Sequence, residues 1–231
     1  MTYLSRLECN PRSRQVRSDM ADCHSLHQRV LSAFPQAPDG VNAREHFGVL
    51  HRLEVDGHTG CMSLLVQSRM APDWSQLPPD YLDRRHARTN PECKQIDTPY
   101  AGLSTGQHLV FRLRANPTKR VSDSVDPRWN GKRVDLHTDE ERLDWLRRKG
   151  EQGSFTLLDV TASANVPDVR QRDTKQIGKR LGTDLTFQSV LFEGKLQVID
   201  PDVFRQALTQ GIGSGKAYGF GLLSIAPASA P

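Results

Sequence analysis

The spacing of apolar positions predicts the first elements of the chain. Apolar and polar residues alternate over residues 2–9, a pattern typical of a strand. Apolar residues then recur at three- and four-residue steps over residues 14–34, as on an amphipathic helix that ends before Pro35 and Pro38. The apolar stretches HFGVLHRLEV and CMSLLVQS flank DGHTG, which predicts a β-hairpin.

Residues 71–106 interrupt this pattern, because they are rich in Pro, Asp, Arg and Thr and predict loops. The stretch HLVFRLRANP alternates again, with Arg112 and Arg114 on one face of a predicted strand. The first half of the chain therefore has the predicted order strand, helix, strand, strand, loop, strand.

The second half of the chain contains clearer signals for where helices and strands begin and end. RWNGKRVDLH predicts a turn and a strand, and TDEERLDWLRRKG predicts a helix that opens with a capping box of Thr138 and Glu141. SFTLLDVTA predicts a strand, and residues 163–183 predict a basic loop or hairpin tip. LTFQSVLFEGKLQVID predicts two strands joined by a tight turn at Glu193-Gly194. PDVFRQALTQ predicts a helix capped by Asp200, and FGLLSIAP predicts a last strand.

Both halves fit a strand–helix–strand–strand–helix–strand unit, although no second helix is assigned in the first half. The predicted fold class is α+β, with two tandem ferredoxin-like, RRM-like domains. We expect an N-terminal domain over residues 1–120, which carries the first helix. We expect a C-terminal domain over residues 121–231, which carries the basic hairpin and a glycine-rich loop.

The composition indicates a soluble, folded chain, because 36% of the 231 residues are hydrophobic and 25% are charged. No apolar run approaches the roughly 20 residues that span a bilayer, and the first residues lack the pattern of a signal peptide. The cysteines form no C-x-x-C pair, which argues against a zinc ribbon or a disulfide framework. They are Cys9, Cys23, Cys61 and Cys93. We expect reduced thiols, a cytoplasmic location and no membrane contact.

Positive charge is concentrated in two segments of a chain whose net charge is +4. The first segment contains Arg112, Arg114, Lys119, Arg120, Arg128, Lys132 and Arg133. The second contains Arg170, Arg172, Lys175, Lys179 and Arg180. Such clusters are typical of nucleic-acid binding, and solvated charged faces are the alternative.

The glycine-rich loop GIGSGKAYGFG, residues 211–221, places five glycines around Lys216. Ala217 stands where a Walker loop needs Ser or Thr, and Lys216 occupies the third glycine position of G-x-G-x-x-G. A predicted helix precedes the loop and a strand follows, the reverse of nucleotide-binding loops, so we expect no nucleotide cofactor. Backbone amides and Lys216 suit a nucleic-acid phosphate instead. A plain helix end with strand bulges would explain one or two of the five glycines, not all.

This loop, with the LLSIAP after it, resembles the CRISPR repeat-processing endoribonucleases of type I-E systems, the CasE family. Other segments agree in the same order: YLSRL, HSLHQRVLSAFP, FRLRANPTKR, GKRV, WLRRKG and VLFEGKLQVID. The resemblance spans about residues 3–227 and is weak over residues 71–107 and 160–183.

The resemblance implies two tandem ferredoxin-like domains that bind the stem-loop of CRISPR repeat RNA and cut at its 3′ base without a metal. It implies that the RNA 2′-hydroxyl attacks the adjacent phosphate, leaving a 2′,3′-cyclic phosphate and a 5′-hydroxyl. The implied partners are the repeat hairpin, the mature crRNA that stays bound, and the other subunits of the Cascade complex.

His24 and His27 lie three residues apart on the predicted helix and therefore share a face. Histidine suits proton transfer near neutral pH, but His27 also falls in the apolar stripe, where a core role is the alternative. The resemblance assigns the catalytic histidine to His27 through SLHQ. His24 stands where the family often has Tyr, either as a second proton-transfer group or as a group that positions the phosphate. Lys216 matches a family lysine, and we assign it to the scissile phosphate.

A metal site is an alternative, since Cys23, His24 and His27 lie close in sequence. A structural zinc site needs four ligands, usually in paired motifs, and a catalytic one needs three plus water; no fourth ligand is indicated, so we expect no metal and no cofactor. RNA is instead expected to contact basic residues and the loop. This set is Arg112, Arg114, Lys119, Lys132, Arg133, Lys175, Lys179, Arg180, Gly211, Gly213, Ser214, Gly215 and Tyr218.

A non-catalytic RNA-binding protein of the same double RRM-like fold is the main alternative. RRM sheets usually stack bases on exposed aromatic residues, whereas only 6% of this chain is aromatic and no RNP1 sequence is present. Tyr218 could stack on a base, and a core role is equally open. A small-molecule enzyme that uses the glycine-rich loop is a third class, and it would be stabilised by nucleotides.

Overall fold

The first four strands form one antiparallel sheet in the spatial order β2-β3-β1-β4. They are β1 (Tyr3–Cys9), β2 (Leu50–Val55), β3 (Met62–Ser68) and β4 (Glu92–Gln95). β2 and β3 are the predicted hairpin, with Leu53 opposite Leu64. The computed structural model describes residues 1–83, 85, 89–122, 128, 130–164, 169–171 and 185–228. Within these residues no helix is both long and apolar enough to cross a membrane.

Two helices replace the single helix predicted for residues 14–34, namely α1 (Arg14–Met20) and α2 (Cys23–Leu31). The helical path breaks at Asp22, whose backbone is extended with φ −143° and ψ 113°. The Asp22 carboxylate accepts hydrogen bonds from the backbone N–H groups of His24 and Ser25. Asp22 is therefore the N-cap of α2, and it fixes the helix start just before the two histidines.

Short elements occupy parts of the segment that was predicted to be loops. A 3-10 turn spans Trp74–Gln76, and α4 (Asp97–Ala101) follows β4. Outside this segment, α3 (Ala43–His46) precedes β2. The loop prediction for residues 71–106 is thus wrong for β4 and α4. Trp74 is buried, and its Nε1 donates to Ser5 Oγ at 3.1 Å. The 3-10 turn therefore lies against the first core, between the strands where a ferredoxin-like unit has its second helix.

The second large sheet contains β5 (His108–Ala115), β8 (Phe155–Ser163), β11 (Val190–Val198) and β12 (Leu223–Pro227), in the order β12-β5-β11-β8. Two ribbons accompany it. They are β6 (Thr118–Arg120) with β7 (Arg133–Asp135), and β9 (Val169–Gln171) with β10 (Leu185–Phe187). The helices are α5 (Asp139–Gln152) and α6 (Pro201–Gln210), and both predicted N-caps, at Thr138 and Asp200, are confirmed.

The sheet membership of β5 corrects the predicted division of the chain. This strand was assigned to the first domain, but it pairs with β11 and β12 in the centre of the second sheet. The strand predicted in RWNGKRVDLH is β7, and it pairs only with β6 among the described strands. Residues 108–227 therefore contain the complete ferredoxin-like order β5-α5-β8-β11-α6-β12. We propose that the boundary lies within residues 97–107 rather than at residue 120.

The tight turn predicted at Glu193-Gly194 is also absent, because β11 runs straight through it. A Cβ on Gly194 would collide with the carbonyl oxygen of Asp159 on β8, and the register between the two strands shifts just after this point. Glycine is needed here for a close approach of two backbones at an irregularity, not for a reversal of the chain.

A buried arginine joins the two sheets. The side chain of Arg52 on β2 is 2% exposed, and its Nη1 donates to the carbonyl oxygens of Arg112 at 3.1 Å and Leu222 at 2.9 Å. Its Nε donates to Glu54 on the same strand at 2.9 Å. A second link is made by Gln67, whose Nε2 donates to the carbonyl of Leu208 at 2.9 Å. The first unit is thereby attached to the backbone of the second.

We predict that Arg52→Met lowers the free energy of unfolding by about 3 kcal/mol, because it removes the Arg52 donor from two carbonyls and leaves Glu54 with Arg112 as its remaining partner. Arg6→Met is the matched control. Arg6 also pairs with a glutamate two residues along its strand, but its side chain is 58% exposed, so we expect a loss below about 1 kcal/mol. Urea unfolding of both variants measures the difference, and equal losses would contradict the role given to Arg52.

Candidate active site

Helix α2 carries both histidines indicated by the sequence. His24 is partly exposed, and its Nε2 lies 3.0 Å from Nε2 of Gln28, one turn further along the helix. His27 is partly buried, and in the described part of the chain its buried Nδ1 has no hydrogen-bond partner. His27 therefore does not match the alternative interpretation, a core histidine whose hydrogen bonds are all satisfied.

A third imidazole, His51 on β2, lies beside His27. The ring centroids are 6.1 Å apart and the ring planes differ by 21°, which is a stacked arrangement. His51 is 1% exposed. Neither of its ring nitrogens has a hydrogen-bond partner among the described residues. The two rings thus form a pair that is held by packing rather than by hydrogen bonds.

Burial keeps both rings neutral. It is the main cause that lowers the pKa of His27 from 6.5 to about 4, and the charges of His24 and Arg44 lower it further. Burial, followed by the charge of His27, lowers the pKa of His51 from 6.5 to about 3. At neutral pH His27 is therefore an unprotonated imidazole, the form that accepts a proton.

The glycine-rich loop brings Lys216 to this place from the other end of the chain. Residues Lys216–Tyr218 form a 3-10 turn that packs against α2 and β2. Burial, followed by the charge of Arg44, lowers the pKa of Lys216. Since Arg44 also acts on His27, this guanidinium lies near both groups. The site therefore lies where the first unit meets the second, and three of its side chains are basic.

The five glycines of the loop all have positive φ, between 72° and 88°. At Gly221, a Cβ would lie 2.8 Å from the carbonyl oxygen of Ile212, and its amide donates to the carbonyl of Arg114 at 2.9 Å. At Gly211, a Cβ would lie 2.8 Å from the side chain of Leu50. Backbone conformation thus accounts for all five glycines, and Gly215 and Gly219 flank a 3-10 turn rather than a helix end with strand bulges.

The amides of the loop differ in their availability to a phosphate. The amide of Gly211 donates to the carbonyl of Ala207 at 2.9 Å, so it is already used within the protein. The amides of Gly213, Ser214 and Gly215 have no acceptor in the described ranges. The phosphate-binding role of these three residues stays a prediction.

Arg112 and Arg114 lie on one face of β5, as predicted, and line a cleft of about 1530 Å³ between the two units. Both take part in contacts within the protein. Arg112 pairs with Glu54 at 3.2 Å and with Glu193 at 2.6 Å. The Nε of Arg114 donates to Ser189 Oγ at 2.6 Å. Their contact with RNA stays a prediction.

Three of the other predicted basic residues, Lys119, Lys132 and Arg133, lie in or beside the ribbon of β6 and β7. Lys119 pairs with Glu141 at 2.8 Å, and Arg133 Nη1 donates to Thr118 Oγ1 at 3.3 Å. Lys132 lies in the same ribbon, where its carbonyl accepts from the amide of Val121. Burial, followed by the charge of Arg133, lowers the pKa of Lys149 at the end of α5. The charge of Lys149 in turn contributes to the lowered pKa of Lys216, after burial and the charge of Arg44. Positive charge therefore continues from the ribbon through Lys149 to the site.

The hairpin residues Lys175, Lys179 and Arg180 lie outside the described residues. The ribbon that leads to them is described, and its strand β9 packs near α2. Tyr218 packs its ring against Phe187 on β10, with the centroids 4.8 Å apart. Tyr218 thus has a packing role between the loop and this ribbon, while base stacking by Tyr218 stays a prediction.

Cys23, a ligand in the metal-site alternative, lies on α2 beside the two histidines. Burial, followed by the charge of Asp22, raises the pKa of Cys23 to about 11, so its thiol stays protonated. Among the residues that the structure describes, no group of three or more His, Cys, Asp or Glu side chains is placed to hold a metal ion.

Sequence reasoning missed His51 and Arg44. A sequence signal existed for His51, because a histidine within the apolar run HFGVLHRLEV requires an explanation. Arg44 lies in a four-residue helix before β2, and no local pattern marks it as part of the site. Its position depends on long-range packing, which spacing along the chain does not report.

The fold and this site define the class of the protein: two ferredoxin-like units in tandem, with a histidine and basic groups gathered where they meet. The family model described as CRISPR associated protein matches residues 2–227. The chain belongs to this family.

Two curated relatives are similar over almost their whole length. CRISPR-associated endoribonuclease Cse3 of Thermus thermophilus is 38% identical over 97% of this chain and 100% of its own. CRISPR system Cascade subunit CasE of Escherichia coli is 32% identical over 92% of this chain and 96% of its own.

Solved structures agree with the fold. Cse3 bound to a 19-nucleotide RNA has a TM-score of 0.78 and 36% identity, covering 97% of this chain and 100% of that chain. Thermus thermophilus Cse3 bound to an RNA that represents a pre-cleavage complex has a TM-score of 0.74 and 35% identity, covering 98% and 99%. Cas6e of Escherichia coli has a TM-score of 0.64 and 27% identity, covering 99% and 100%. The prediction of an α+β, tandem ferredoxin-like fold is confirmed.

The neutral state of His51 has a consequence for stability. The pKa of His51 is lowered in the folded chain. Below about pH 6.5 the unfolded chain therefore binds a proton that the folded chain does not, and the protein becomes less stable as the pH is lowered. Between about pH 7.5 and pH 5 we expect this group to cost about 2 kcal/mol. Urea unfolding of His51→Phe at both pH values should show that much less pH dependence than the wild type, and identical dependence would contradict a buried neutral His51.

Proposed function

We propose that this protein is an endoribonuclease that binds the stem-loop of CRISPR repeat RNA and cuts at the 3′ base of the stem without a metal. The proposal rests mainly on one observation: the 3-10 turn that contains Lys216 packs against the helix that carries the neutral His27. Cleavage by 2′-hydroxyl attack needs a proton acceptor and positive charge at the phosphate, and this site contains both. The names of the relatives, an endoribonuclease and a Cascade subunit, support the same reading.

His27 is the base in this proposal. Burial is the main cause that lowers the pKa of this imidazole to about 4, so at neutral pH it carries no proton and is ready to accept one. The imidazole accepts the proton of the 2′-hydroxyl while the 2′-oxygen bonds to phosphorus. The bond from phosphorus to the 5′-oxygen then breaks, which gives a 2′,3′-cyclic phosphate and, after protonation, a 5′-hydroxyl.

His24 is the acid that protonates the leaving 5′-oxygen. It is more accessible than His51, and it lies one turn before His27 on the same helix. Lys216 and Arg44 neutralise the additional charge that develops on the phosphate oxygens. Partial burial of Lys216 strengthens its interaction with an anion, because fewer water molecules screen it.

The RNA stem is held mainly by its phosphates. A-form RNA hides its base edges in a narrow major groove, so contacts to shape and backbone dominate. The basic residues around Arg133 and Lys149 lead away from the site and provide one surface for the stem. Lys175, Lys179 and Arg180 provide a second contact from the hairpin. The product crRNA stays bound, and the protein acts as a Cascade subunit in the cytoplasm.

We predict that the wild-type chain cuts end-labelled cognate repeat RNA once, at the stem base, in excess EDTA. His27→Ala should lower the single-turnover rate by at least about 100-fold, because the base is lost, while RNA affinity stays the same. Cys23→Ser is the matched control on the same helix and should cut at the wild-type rate. Tight binding without cutting by the wild type would instead indicate the non-catalytic RNA-binding subunit, and loss of cutting in EDTA would indicate a metal.

The roles of acid and base can be distinguished with an RNA that has sulfur in place of the bridging 5′-oxygen. Sulfur leaves without protonation, so this substrate should restore most of the rate lost in His24→Ala and none of that lost in His27→Ala. Single-turnover rates on both substrates measure this. Rescue of His27→Ala instead would reverse the two assignments, and rescue of neither would leave His24 to position the phosphate.

A further inference from the structure

The proposed chemistry gives no role to His51, although this residue is the partner on which the ring of His27 stacks. A histidine that acts as a base is normally oriented by a hydrogen bond to its second ring nitrogen, often from a carboxylate or a backbone carbonyl. In this chain the buried Nδ1 of His27 has no such partner within the described residues.

The carboxylates near this helix are engaged elsewhere. Asp22 accepts from the backbone at the start of α2 and from Ser25 Oγ at 2.7 Å. Glu45 is exposed, and it pairs with Arg44 at 2.8 Å. The orientation of the His27 ring therefore depends on what it packs against, and the stacked ring of His51 is the neighbour that can define its plane.

We propose that His51 is a positioning residue for cleavage: its flat, fixed ring holds the imidazole of His27 in the plane from which it reaches the 2′-hydroxyl. This inference rests on the proposed function. His51 is itself held firmly, since it lies on β2 opposite Val66 and is 1% exposed. It touches no RNA and acts through His27.

The ring face of His51 suits the charge that appears during the reaction. His27 becomes an imidazolium when it takes the proton, and a neutral aromatic face beside it is attractive to that cation. The other groups around His27 are His24 on α2, Arg44 on α3 and Lys216 on the 3-10 turn, all of them basic. A positive charge at position 51 would add to their repulsion, whereas burial keeps His51 neutral.

The space at His51 allows the role of the ring to be separated from that of its nitrogens. Gly219 borders the ring, and even a Cβ built on this glycine would lie 3.5 Å from Nε2 of His51, in ordinary contact distance. Because Gly219 has no side chain on this side of the ring, we expect a slightly larger ring to be accommodated. His51→Phe keeps a flat ring without nitrogens, and His51→Leu fills the space without a flat ring.

The test is single-turnover cleavage of cognate repeat RNA at saturating enzyme, with RNA affinity measured separately. We expect His51→Phe to cut within about threefold of the wild type, and His51→Leu to cut at least about tenfold more slowly at unchanged affinity. Phe34→Leu is the control. It removes a comparable stack from the core of the same unit, with Phe47 at 5.4 Å and 18°, and should cut at the wild-type rate.

Each other outcome would overturn the inference in its own way. Equal losses in His51→Phe and His51→Leu would show that the ring nitrogens are required. A wild-type rate in His51→Leu would show that the stack is dispensable. A loss in Phe34→Leu as large as that in His51→Leu would show that a loosened core is sufficient. A wild type that binds RNA without cutting it would contradict the proposed function itself, and the role of His51 with it.

Discussion

The structure depends on one buried guanidinium between its two units. Arg52 projects from the first sheet, and its donors bond to carbonyl oxygens in the second unit, one on β5 and one just before β12. A guanidinium has several donors in a fixed plane and no acceptor, so it can join separate backbone segments in one arrangement. A hydrophobic contact at this place would attract the two surfaces without defining their relative orientation.

That orientation matters because the site is shared. His27 and His51 come from the first unit, whereas Lys216 comes from the last loop of the second. The glycines of this loop allow it to fold back beneath β2, where Gly211 contacts Leu50 and Gly219 borders His51. The glycine-rich sequence suggested phosphate binding, but in the structure its glycines also allow the loop to pack closely against β2. The loop carries a lysine to a helix that lies far away in the chain.

Much of the fold could be predicted from local signals. The hairpin at DGHTG, the capping box at Thr138 and the cap at Asp200 each depend on a few adjacent residues, and all three are present. The errors have non-local causes. Asp22 looked like one polar position within a longer helix, but its carboxylate caps a new one. A boundary after β5 was expected because alternation identifies β5 as a strand without indicating which sheet it joins. The site was predictable in part for the same reason, since His24 and His27 share a helix turn, while Arg44 and His51 reach the site only through packing.

The separation of the site residues along the chain also has a consequence for synthesis. The helix with His27 emerges from the ribosome well before the loop with Lys216. Because β12 follows that loop and pairs with β5 in the middle of the second sheet, the second unit cannot close until β12 is available. A growing or prematurely terminated chain therefore carries the histidines without the lysine loop. The proposed site therefore forms only after the loop with Lys216 and β12 have both been made.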